Sequence, residues 1–217
     1  MRIIRDVTII ALFVLFGYVV AWYLLHAGYP LPEPIARMVP IRPPVPEGIL
    51  IHHSATPTRL KGRIVDAKKI DEMHRHRNFS IVCDNKVYHI GYHYVILPDG
   101  RIQRGRPENC PGAHSGIAYY NQRYLGICLI GDFDSHGRWN GKRSPRQPTE
   151  AQIRALVQLC VKLIRKYHMP VENVRRHRDV NQTYCPGDYF PYGRVRMLIA
   201  QELRTQMQNA SVKHISR

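Results

Sequence analysis

The chain has 217 residues, 44% apolar and 22% charged. Those proportions exclude a wholly disordered polymer and leave enough apolar material for one domain of ordinary size with additions. The net charge of +16 predicts attraction to polyanions, whether nucleic acid, anionic lipid head groups or acidic cell-wall polymers. Nucleic acid is the weaker of these, because neither an aromatic-and-basic RNA motif nor a zinc-finger pattern is present.

The first apolar run, Val7 to Leu25, spans 19 residues without a charge, enough for a helix to cross a bilayer core. Arg2 and Arg5 precede it and Trp22 and Tyr23 lie near its far end. The pattern predicts an N-terminal transmembrane anchor over 1–28, with a cytoplasmic N-terminus and the remaining chain in the periplasm or extracytoplasmic space. A cleaved signal peptide is the rival reading, but Leu25-His26-Ala27 makes a poor cleavage site. A proline-rich linker over 29–47 follows, expected to run extended as polyproline II.

The folded domain is expected over 48–207, with a tail at 208–217. Ile49–Ile51 reads as a strand leading into His52-His53-Ser54. Asp66–Arg77 has a helical apolar face. Tyr92–Leu97 alternates up to a Pro98-Asp99-Gly100 turn, with Arg101–Arg104 returning. Leu125–Ile130 reads as a buried strand. Thr149 and Gln152 form a capping box for a helix whose stripe includes Ile153, Leu156, Cys160 and Leu163. Val171–Arg176 is extended, and a last helix covers Arg194–Met207. Strands alternating with helices predict an α/β (α+β) domain: a central mixed β-sheet flanked by helices.

Three residues stand out as candidate metal ligands. His52 follows a buried strand, His177 lies in Arg-Arg-His-Arg-Asp-Val, and Cys185 comes eight residues later in Thr-Tyr-Cys-Pro-Gly. Imidazole and thiolate suit zinc better than magnesium or calcium, and a hydrolytic zinc site uses three protein ligands plus one open position. Spacing alone does not settle the set, because twelve histidines offer many accidental pairs. The five cysteines include no Cys-x-x-Cys pair, which argues against a structural zinc ribbon.

Six segments occur in one order: IHHSATP, GYHYVILPDGRIQRGRP, GAHS, LGICLIGDF, PTEAQ and HRDVNQTYCPG. Together they resemble the zinc amidase family of N-acetylmuramoyl-L-alanine amidases, phage amidase-type endolysins and peptidoglycan recognition proteins. The resemblance covers roughly Gly48 to Phe190. It implies a Zn2+ cofactor held by His52, His177 and Cys185, a catalytic Tyr92, and a second catalytic position at Thr183. It also places His114 in the substrate groove. His53 is grouped with His114 as substrate-binding rather than as a ligand, because successive strand residues face opposite sides.

The implied reaction is hydrolysis of the amide joining N-acetylmuramic acid to L-alanine of the peptidoglycan stem peptide, by a monomer. The alternative is a recognition module that binds peptidoglycan without cutting it; such members commonly lack the cysteine ligand, which is present here. Cys83 and Cys110 fall in loops of an expected exported domain, where a disulfide or two free thiols are both open. The stretches SIVCDNKVYH and HGRWNGKRSPRQ depart from the family pattern. The first is read either as one wall of the groove or as a strand extension.

Overall fold

The computed structural model describes residues 15–20, 22 and 45–215. Residues 15–20 are helical and exposed; they belong to a separate unit, Met1–Pro43, and are described by themselves. The expected anchor over Val7–Leu25 therefore lies largely outside the described residues, as does most of the proline-rich linker. Among the described residues no helix is long and apolar enough to cross a membrane.

The domain is built on a five-stranded sheet. In chain order its strands are β1 (Gly48–His53), β6 (Tyr94–Ile96), β7 (Ile102–Arg104), β8 (Tyr124–Leu129) and β9 (Val174–Arg176). Their spatial order is β7-β6-β8-β1-β9. All neighbours are parallel except β6 and β7, which form an antiparallel hairpin. β1 and β8 are buried along their whole length, as expected of central parallel strands covered on both faces. Their register places His52 beside Cys128.

Alternation along β1 divides the molecule. Ile49 and Ile51 join Leu125, Ile127 and Leu129 in the larger core, on the side covered by two helices. These are α3 (Glu150–Tyr167) and α4 (Tyr192–Ile215). On the other face Val95, Leu97 and Ile130 pack with Ile70 of α1 (Ala67–Arg75).

α3 starts where its capping box predicts, with Thr149 accepting from the Gln152 N–H and Gln152 bonding back. The Gln152 side chain then donates to the carbonyls of Ile96 and Ile130, tying the helix start to two strand ends. α1 is shorter than its apolar pattern suggested. Asp66 caps it by accepting from the Lys69 N–H at 2.9 Å, and Asn78 turns left-handed just past its end. α4 runs beyond Met207 to Ile215.

Two short hairpins complete the domain: β2 (Arg59–Leu60) with β3 (Arg63–Ile64), and β4 (Ile81–Cys83) with β5 (Lys86–Tyr88). The second is the departing stretch SIVCDNKVYH. Asp84 and Asn85 both have positive φ, the signature of a type I′ turn. A disulfide joins Cys83 to Cys110 across 27 positions, pinning the hairpin to the loop after β7.

Candidate metal centre

The sheet brings together three side chains remote in sequence. His52 is the penultimate residue of β1, His177 begins the 3₁₀ turn His177–Asp179 directly after the adjacent β9, and Cys185 lies in the next loop. One ligand atom from each lies within 4.8 Å of the others. The Cys185 Sγ is 3.6 Å from His52 Nδ1, and the rings of His52 and His177 are 4.6 Å apart. Tetrahedral zinc with bonds of about 2.0–2.3 Å holds its ligand atoms roughly 3.3–3.7 Å apart, so the donors stand close to that arrangement.

Hydrogen bonding assigns the ring nitrogens. His177 Nε2 lies 3.0 Å from the Ser115 carbonyl, which can only accept, so the proton is on Nε2 and the Nδ1 lone pair is free. His52 Nε2 lies 3.1 Å from His114 Nδ1, and His114 Nε2 lies 3.0 Å from the Tyr124 carbonyl. The same logic leaves the His52 Nδ1 lone pair directed at Cys185. The His53 backbone N–H donates to Cys185 Sγ at 3.4 Å, as suits a thiolate.

Burial, reinforced by neighbouring His114 and His177, holds the His52 pKa well below its ordinary value. Burial also lowers His177 and pushes the Cys185 thiol up to about 12. The protein thus presents two neutral imidazoles and a sulfur whose burial outweighs the favourable charge of nearby Arg178. That donor set fits a zinc ion, whose charge would favour the thiolate.

These residues line a cleft of about 500 Å3 together with Tyr92, Thr183 and His114. A larger cleft of about 930 Å3, between the β2–β3 hairpin, α1 and Arg101, contains none of them. The Tyr92 ring lies 5.2 Å from that of His52. Burial, with the Cys128 thiol alongside, raises its pKa well above the ordinary value, so the hydroxyl stays protonated. Thr183 Oγ1 accepts from the Cys185 N–H at 3.2 Å.

His114 is buried behind His52 with both ring nitrogens engaged. His53 lies at the border of the cleft and its Nδ1 accepts from the Phe133 N–H at 3.1 Å; burial lowers its pKa to about 4. His74 went unread as a cleft residue because it has no ligand spacing. It is buried, accepts from the Gly91 N–H at 2.9 Å, and packs 5.5 Å from the Tyr92 ring. Ser115 and Asn121 were also missed. Ser115 is adjacent to His114 in the GAHS segment, but Asn121 carries no motif.

Set beside known proteins, the chain finds counterparts in sequence and in fold. The chain belongs to the N-acetylmuramoyl-L-alanine amidase family, whose signature (Amidase_2) matches residues 42–188. It is 31% identical over 141 residues to an endolysin of Enterobacteria phage T3, covering 65% of this chain and 80% of that protein. Among solved structures it resembles the N-acetylmuramoyl-L-alanine amidase LysC from Clostridium intestinale. That match has 32% identity and a TM-score of 0.55, covering 70% of this chain and 84% of the other. It also resembles Drosophila PGRP-LB in complex with tracheal cytotoxin, with 26% identity and a TM-score of 0.53 over 69% and 80% of the two chains.

These relatives correct the location expected from the first thirty residues. The phage proteins matched are endolysins, and no described helix meets the requirement for a membrane span. Hydropathy and flanking arginines over one apolar run were insufficient, because they do not establish that the run forms a spanning helix. A single-pass, membrane-anchored location is not supported by these relatives.

Proposed function

We propose that this protein is a zinc-dependent peptidoglycan amidase that hydrolyses the amide between N-acetylmuramic acid and L-alanine of the stem peptide. The observation carrying this reading is the convergence of His52, His177 and Cys185 in a member of the amidase family. Those three residues would hold the ion. Bound zinc supplies Lewis acidity, acidifying water and polarising a carbonyl.

The remaining roles belong to the chain itself. Tyr92 keeps its proton because burial disfavours the phenolate. In the proposed reaction its O–H donates to the oxyanion developing on the scissile carbonyl. Thr183 uses a lone pair for the Cys185 N–H, so its own O–H is available to orient the attacking water or the substrate. A hydroxyl is too weakly basic to take the proton from water. His53 and His114 also line the cleft; both ring nitrogens of His114 are occupied, whereas His53, whose Nδ1 accepts from the Phe133 N–H, keeps its Nε2–H to donate to substrate.

The test uses the full chain with purified peptidoglycan, with and without a metal chelator, and a Cys185→Ala variant. Release of free stem peptides should stop on chelation, return with zinc, and fall at least a hundredfold in the variant. Binding without release by the unsubstituted protein would point instead to a recognition module.

A further inference from the structure

The turn 112–115 reaches both histidine ligands at once. The His114 ring meets His52 Nε2 at 3.1 Å, and the next carbonyl, of Ser115, meets His177 Nε2 at 3.0 Å. We propose that this turn, clamped by Asn121 of the short helix α2 (Ala118–Arg123), is a positioning element that selects the Nδ1 lone pair on both metal-ligating rings. The inference rests on the reading of His52, His177 and Cys185 as zinc ligands.

A neutral imidazole carries one proton, and either nitrogen can hold it. A ring that places its proton on Nδ1 cannot ligate through that atom. For His52 the choice is imposed from the Tyr124 carbonyl, two hydrogen bonds away. Because that carbonyl only accepts, His114 must carry its proton on Nε2. His114 Nδ1 is then bare and must accept from His52 Nε2.

The His114 ring has little freedom to leave this position. A Cβ at Gly112 would come within 2.3 Å of the ring, and one at Gly126 within 2.6 Å, so the ring occupies a slot that two glycines make possible.

Asn121 holds the turn in register. Its Oδ1 accepts from the His114 N–H at 2.9 Å, the Ser115 N–H at 2.9 Å and the Ser115 hydroxyl at 3.0 Å. Its own carbonyl accepts from the Gly112 N–H at 2.7 Å. The Ser115 carbonyl is steadied from the other side by Asn181 Nδ2 at 2.7 Å. Asn121 itself contacts neither ligand ring in this network. Its influence on the metal would pass through backbone it holds in place.

Two pairs of variants separate hydrogen bonding from bulk. His114→Leu removes the acceptor for His52, whereas His114→Gln can restore one acceptor and one donor. Asn121→Leu removes the clamp, whereas Asn121→Asp keeps the acceptor oxygen. Zinc affinity is measured by competition with a chromophoric chelator, with circular dichroism of the metal-free proteins reporting the fold. The leucine variants should bind zinc about 10- to 100-fold more weakly, and the Gln and Asp variants within about threefold of the parent. Nitrogen-15 NMR of the metal-free parent should find His52, His114 and His177 all protonated on Nε2, a readout that needs no variant to fold.

Parent-like zinc affinity in folded His114→Leu, or an Nδ1–H tautomer on His52, would overturn the inference while leaving the zinc site standing. Failure of the unsubstituted protein to bind zinc would remove the zinc reading and this inference with it.

Discussion

The Nδ1 atom of His52 and the Sγ atom of Cys185 lie 3.6 Å apart although 133 positions separate them in the chain. Parallel pairing explains the approach. β1 and β9 run side by side in the same direction, so the end of one strand and the residue following the other meet at one edge of the sheet. Open α/β sheets place their ligand crevices at the carboxyl ends of parallel strands for this reason. The loop after His177 is folded back by a hydrogen bond from the Arg178 N–H to the Cys185 carbonyl at 2.9 Å, which delivers the thiol.

Replacing Tyr92 by phenylalanine isolates the hydroxyl. The ring packing against His52 and His74 should survive, and zinc affinity should stay within twofold to threefold of the parent. Loss of one oxyanion donor should lower kcat by about 10²–10³ with a small change in KM. Steady-state release of stem peptides measures this, and parent-like turnover would take Tyr92 out of the chemistry.

Glu108 offers a test of stability against pH. Burial alone would raise its pKa, but hydrogen bonds from Lys166, Tyr167 and Tyr94 outweigh this and lower it to about 2. The folded value therefore lies below the unfolded one. The carboxylate's contribution is present above roughly pH 4.5 and is lost as pH falls toward 2. Glu108→Gln should cost about 1–2 kcal/mol at pH 7, after allowance for solvent screening. Urea denaturation should show the gap between parent and variant narrowing steadily as pH falls from about 4.5 toward 2; a gap of constant size would refute the assignment.

The disulfide should matter to stability. Closing 27 positions between Cys83 and Cys110 restricts the unfolded chain by about 3–4 kcal/mol on the loop-entropy account. Substituting both cysteines by serine should lower the melting temperature by roughly 10 °C, and a reductant should then have no further effect on that variant's melting. An unchanged melting temperature would show that the bridge contributes nothing to the folded domain.

Several elements were readable from local pattern because local chemistry forms them. The Thr149–Gln152 capping box and the stripe through Leu156, Cys160 and Leu163 specify α3 without help from the remaining chain. The continuous apolar runs of β1 and β8 announce strands buried on both faces. The β4–β5 hairpin was harder to read, since its Asp84-Asn85 turn lacks glycine and its strands are only three residues long. α2 lacks a side-chain cap at Ile117, so nothing local marks its start. Asn121 inside it acquires its meaning only from the turn it holds.

The amino-acid sequence alone determined the donor types of the centre, two imidazoles and a thiol, and through the order of its motifs the family to which they belong. Tertiary structure decided which nitrogen of each ring faces the sulfur and which neighbours impose that choice. A hydrogen bond's direction depends on what stands opposite it in space: the carbonyls of Tyr124 and Ser115 become partners of this site only when the sheet and the 112–115 turn bring them there.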